Sequence, residues 1–122
     1  MPSSEIAAVH LMGNLHACAA ARPLLEDADT LRQQCLALVQ EAGLTAVGDY
    51  FHQFNAGGVT GTVVLAESHL ALHTWPETDD VTLDVFVCNM HCDNRAKAQQ
   101  LFNRLVAIFL PGDTRLYRVD RK

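Results

Sequence analysis

The chain has 122 residues, 49% of them hydrophobic and 19% charged, the composition of one globular domain large enough to bury its own core. Nine Lys and Arg against fourteen Asp and Glu give a formal net charge of -5, which argues against nucleic-acid or anionic-membrane partners. No apolar run approaches the roughly 20 residues of a membrane span, and Met1 to Glu5 lack a basic signal-peptide start, so a cytoplasmic domain over 1–122 is expected.

In chain order, Ile6 to Leu15 reads as a strand. Residues 24–42 read as an amphipathic helix, because Leu24, Ala28, Leu31, Cys35, Leu38 and Ala42 recur at steps of four and three. Pro23 suits its first turn and Gly43 its exit. Thr45 to Phe54, Thr62 to Leu72 and Val81 to Val87 are β-branched, aromatic or apolar and read as strands. A second helix starts at Asp93, a good N-cap, and runs to Leu110 with Ala98, Leu101, Phe102, Leu105 and Phe109 as its stripe. Arg115 to Val119 is the last strand. The order β-α-β-β-β-α-β predicts an α+β fold of two layers, a mainly antiparallel sheet with both helices on one face. The other sheet face is then bare, and a homodimer is the expected way to cover it. Without an export signal the four cysteines are expected as thiols, Cys18 and Cys35 as buried apolar groups.

Reactive residue types are densest in Glu67-Ser68-His69-Leu70-Ala71-Leu72-His73-Thr74-Trp75-Pro76-Glu77, which follows the glycine-rich stretch 57–61. The plain reading is a strand whose polar residues face solvent before a turn at Trp75-Pro76. A metal site is weighed and set aside: His69 and His73 on a strand stand about 13 Å apart, and the Cys88/Cys92 pair beside His91 lacks the usual knuckle glycine. A Ser-His hydrolase lacks the G-x-S-x-G elbow around Ser68. The third reading is self-processing, in which the Ser68 hydroxyl attacks the Glu67 carbonyl and moves the chain from amide to ester. β-Elimination then cuts the chain and leaves a dehydroalanine that hydrolyses to a pyruvoyl group. That chemistry needs a strained Glu67-Ser68 bond, an oxyanion donor and a base, and Thr60 and His73 are chemically suited to the last two tasks. Strand parity puts Ser68 and His73 on opposite faces, so a bulge or turn at the scissile bond is required.

Gly58-Val59-Thr60-Gly61, the Glu67-Ser68-His69…His73-Thr74-Trp75-Pro76-Glu77 core and Asp84-Val85-Phe86-Val87-Cys88 closely resemble the small prokaryotic S-adenosylmethionine decarboxylases. His52-Gln53-Phe54, His10-Leu11 and Cys18 extend the match over most of the chain. The resemblance implies cleavage between 67 and 68 into chains 1–67 and 68–122, with Ser68 becoming a covalent pyruvoyl cofactor that condenses with the substrate amine. It implies that His73 assists elimination and that Cys88 is the acid that reprotonates the substrate carbon. Thr60 stands where the family has a processing serine and keeps the hydroxyl. Glu77 resembles the carboxylate on the ribose hydroxyls, and Phe54 the aromatic on adenine. The implied partners are S-adenosylmethionine and a second copy in an α/β/β/α dimer, with no metal. Two alternatives stay open: a pyruvoyl decarboxylase of ornithine or arginine, and an unprocessed homolog that binds without catalysis.

Overall fold

The computed structural model describes residues 7–89 and 92–122; Ile6 and His91 lie outside them. The elements run β1 (Ala8–His16), α1 (Arg22–Glu26), α2 (Ala28–Glu41), β2 (Ala46–Gln53), β3 (Val59–Leu65), β4 (Ser68–Trp75), β5 (Asp80–Cys88), α3 (Arg95–Ile108) and β6 (Asp113–Arg121). The six strands form one sheet in the order β2-β3-β4-β5-β1-β6, and every neighbouring pair is antiparallel. The expected α+β fold with helices on one face is thus present.

Alternation along the strands decides which face the helices cover. In β5, Val81, Leu83, Val85 and Val87 are buried while Asp80, Thr82, Asp84, Phe86 and Cys88 are only partly so. Leu70 and Leu72 of β4 join the buried set and meet Leu31, Cys35 and Leu38 of α2 and Leu101, Phe102 and Leu105 of α3 in one core. Each fully buried leucine contributes about 1.5–3 kcal/mol relative to exposure. The opposite face is bare in the single chain: Tyr50 on β2, Val64 on β3 and Tyr117 and Val119 on β6 are all exposed.

Three elements differ from the sequence expectation. The apolar run Thr62 to Leu72 is two strands rather than one, folded back at Ala66-Glu67 so that Leu65 pairs with Ser68. The eleven-residue stretch is longer than a typical strand, and its hydrophobicity reports burial of both strands without marking the turn. The helix over 24–42 is broken at Asp27, whose φ of -117° and ψ of 116° are extended. Its carboxylate accepts from the Thr30 N–H at 2.9 Å, so the residue ends α1 and caps α2 while the apolar stripe runs through both. At the second helix the N-cap position falls on Asn94, although the Asp93 carboxylate still accepts from the Arg95 N–H at 3.0 Å.

Candidate active site

The hairpin joining β3 to β4 is held tightly at its tip. Ala66 N–H donates to Thr45 O at 2.8 Å, and the Glu67 carboxylate accepts from Thr45 N–H at 3.1 Å. On the other side, Cys88 N–H donates to the Glu67 carbonyl oxygen at 2.9 Å. Two-residue hairpin turns that match strand twist need positive φ within the turn. Ala66 and Glu67 do not have it; Ser68, directly after them, has a φ of 155°. That value belongs to a region glycine visits freely and other residues seldom do, so the Glu67-Ser68 bond sits beside a strained residue whose neighbours are pinned. Ser68 pairs with Val87 at the end of β5, next in the ladder to Cys88, whose side chain belongs to the open face.

His73 lies five residues further along β4, about 16 Å from Ser68 at strand rise. It pairs with Thr60 across the β3–β4 ladder, and Thr60 Oγ1 and His73 Nδ1 are hydrogen-bonded at 2.9 Å. The Trp75 ring stacks on the imidazole with centroids 5.8 Å apart. Phe54, Thr60, His73, Thr74, Trp75 and Glu77 line a cleft of about 360 Å³ at this end of the sheet, together with Ala56 and Gly58. Gly58 cannot carry a side chain here: a Cβ would lie 2.9 Å from Thr74 O.

The seven sequence-derived site residues therefore fall into two groups. Glu67, Ser68 and Cys88 meet at the hairpin end; Thr60, His73, Phe54 and Glu77 meet at the cleft. Within one chain the structure does not bring the groups together. Between them on the open face, His10 Nε2 and Asp84 Oδ1 are 3.1 Å apart, and the Phe86 ring lies against both His10 and His69. Sequence reasoning missed the backbone bond from Cys88 to Glu67 because it depends on β5 lying beside the turn, which no local signal announces. It also missed the Asn94 side chain, 5% exposed, whose amide donates to Cys88 O at 2.9 Å and whose oxygen accepts from the Cys92 thiol.

The remaining cysteines are inert by position. Burial pushes the Cys18 thiol up to about 11, with Asp80 and Asp79 adding to the effect, and burial alone pushes Cys35 up to about 12. Among the described residues no group of three His, Cys, Asp or Glu could hold a metal ion, and no helix is long and apolar enough to cross a membrane.

Fold and site together define a two-layer α+β protein with a strained Glu-Ser hairpin and a separate aromatic, singly acidic cleft. The family model described as S-adenosylmethionine decarboxylase matches residues 9–122, so the chain belongs to that family. An S-adenosylmethionine decarboxylase proenzyme of Archaeoglobus fulgidus is 39% identical over 98 residues, covering 80% of this chain and 84% of the relative. One from Picrophilus torridus is 30% identical over 113 residues, covering 93% and 82%. The crystal structure of the adenosylmethionine decarboxylase from Aquifex aeolicus VF5 superposes with a TM-score of 0.85 at 26% identity, covering 95% of this chain and 91% of that one.

Proposed function

We propose that this chain is a proenzyme that cuts itself between Glu67 and Ser68 and then decarboxylates S-adenosylmethionine. The observation that carries the proposal is the pinned Glu67 carbonyl next to Ser68 at φ 155°. Attack of Ser68 Oγ on that carbonyl carbon forms an ester and breaks the amide, the hydroxyl proton passing to the freed nitrogen. The Cys88 N–H already points at the oxygen that takes up negative charge in this step. A base then removes the Ser68 Cα proton, the Cβ–Oγ bond breaks with release of the Glu67 carboxylate, and hydrolysis of the dehydroalanine leaves the pyruvoyl end and ammonia. Ser68 and its surroundings fit that group, whose carbonyl supplies an electron sink for the pair left when carbon dioxide departs.

The base and the substrate cleft lie about 16 Å from Ser68 in the same chain, too far for a proton transfer that needs hydrogen-bond reach. The reading is completed by a second copy laid face to face over the bare sheet surface, so that one chain's Ser68 and Cys88 meet the other chain's Thr60, His73, Phe54 and Glu77. The exposed Tyr50, Val64, Tyr117 and Val119 support such a contact. In that assembly Thr60 holds the His73 ring for the elimination, Glu77 accepts from the ribose hydroxyls, and Phe54 packs on the adenine. Cys88 Sγ delivers the proton to the substrate carbon, and a thiol kept for that purpose suits the reducing cytoplasm. Among the described residues, Glu77 is the only carboxylate lining the cleft. Together with relatives named for S-adenosylmethionine, that favours this substrate over ornithine or arginine.

The test is intact mass under denaturing conditions, followed by release of carbon dioxide from S-adenosylmethionine. Two chains, 1–67 and 68–122, the second capped at its N-terminus by pyruvoyl, are expected for the parent and one uncut chain for Ser68→Ala. An uncut, inactive parent overturns the proposal.

A further inference from the structure

Both walls of the cleft are turns, and turns do not by themselves hold a binding carboxylate in place. Phe54 opens the 54–58 turn; Glu77 sits in the 76–79 turn. The short helix α1 spans between them. A single helical turn is not stable alone, and α1 has no side-chain cap at its N-terminus, so the burial of Leu24 and Leu25 and its hydrogen bonds to the rest of the chain hold it there. Among the described residues, three side chains make such bonds. Leu25 O accepts from Thr74 Oγ1 at 2.7 Å, and Glu26 O accepts from Gln53 Nε2 at 2.8 Å. The third is Arg22, which grips the Glu77 turn on both sides. One guanidinium nitrogen donates to Asp79 Oδ1 at 2.6 Å, and another donates to Pro76 O at 2.9 Å while also reaching Glu26 at 2.7 Å.

We propose that Arg22 is a positioning residue for substrate binding: its fork holds Pro76 and Asp79, and so sets where the Glu77 carboxylate meets the substrate. The inference rests on the decarboxylase reading and adds a residue that touches neither substrate nor Ser68. A lysine has one nitrogen in place of the planar fork, so it does not reproduce donors placed on two separate nitrogens. Asp79 itself has a φ of 56°, a left-handed turn residue that asparagine also tolerates, so Asp79→Asn removes the charge and leaves the backbone conformation accessible.

The experiment compares Arg22→Ala, Arg22→Lys and Asp79→Asn with Arg104→Ala, whose partner Glu41 lies on the helical layer away from the cleft. Self-cleavage is followed by mass, kcat and KM with S-adenosylmethionine. Binding of 5′-methylthioadenosine to the processed protein is read from the fluorescence of Trp75, the chain's one tryptophan. For Arg22→Ala we expect complete cleavage, an unchanged kcat, and KM and the Kd for 5′-methylthioadenosine both raised roughly tenfold. Arg22→Lys follows Arg22→Ala, Arg104→Ala follows the parent, and Asp79→Asn shows a smaller rise that does not add to that of Arg22→Ala. Unchanged KM and Kd in a cleaved Arg22→Ala, a loss of kcat at constant KM, or additive effects of the two turn variants overturns the proposal. If Arg22→Ala does not fold, Asp79→Asn alone decides, and an unchanged KM counts against it. A parent that neither cleaves nor turns over sinks the decarboxylase reading itself, whereas an active parent with an indifferent Arg22 sinks only this inference.

Discussion

The two ends of β4 are built differently. At Ser68 the distinctive features are in the backbone: a strained φ, a carbonyl held by a neighbouring strand's N–H, and a turn tied to Thr45. At His73 they are in the side chains, with a hydroxyl on one ring nitrogen, an indole on the ring face and two turns forming walls. In the proposed reading, bond-breaking draws on backbone strain held by the sheet and recognition on the turns, and a single strand keeps the two about 16 Å apart. The proposed assembly uses that separation, since each chain then offers one half of two sites.

The sharpest way to break this comparison is to mix two dead variants. Ser68→Ala and His73→Ala should each stay uncut alone; refolded together, the His73→Ala chain should be cleaved and the Ser68→Ala chain should stay whole. No cleavage in the mixture would mean that the halves act within one chain. Next in size, Cys88→Ala keeps the N–H on Glu67 O and should still be cut, while decarboxylation falls by about 10²–10⁴-fold. Loss of cleavage as well would show that the thiol, not the backbone, serves the first step. In the layer that both ends share, Phe109→Ala removes a ring with 0% exposure and should cost about 3–5 kcal/mol in urea unfolding, without favouring either end. Thr60→Ala frees the His73 ring and should slow cleavage roughly tenfold, with Thr60→Ser close to the parent.

The smallest effect concerns the thiols. In the native protein Cys92 should alkylate at mildly alkaline pH, while Cys18 and Cys35 wait for unfolding. Their folded pKa values are raised, so the folded state binds protons that the unfolded chain releases. Their contribution to stability is full below about pH 8.5 and declines as pH rises toward about 11 for Cys18 and about 12 for Cys35. Alkaline melts of Cys35→Ala against the parent would measure that slope.

Much of the fold was legible because periodicity and burial are the same fact seen twice. The stripes Leu31, Cys35, Leu38 and Leu101, Phe102, Leu105 are the residues buried under the sheet, and Val81 to Val87 alternates as expected. The turn at Ala66-Glu67 was visible only as a chemical requirement at Ser68, since neither residue is a turn former and the apolar run passes through it. The site was legible as a list of residues but not as a place. Ser68 and His73 are close in sequence and far apart along an extended strand, whereas Glu67 and Cys88 are distant in sequence and bonded. The Arg22 grip on the Glu77 turn left no local signal, because it joins residues 57 positions apart.

The order of strands also determines what a cut would leave behind. Residues 1–67 carry β1, β2 and β3, and residues 68–122 carry β4, β5 and β6, yet in the sheet β1 lies between β5 and β6. The two products would be interleaved, the first threaded through the second and bonded to it along both edges of β1 and again along β3 and β4. Neither piece could leave without dismantling the sheet. The scission would release local strain at one bond and create two new chain ends while costing the protein no strand pairing, so a molecule in two pieces would unfold as one.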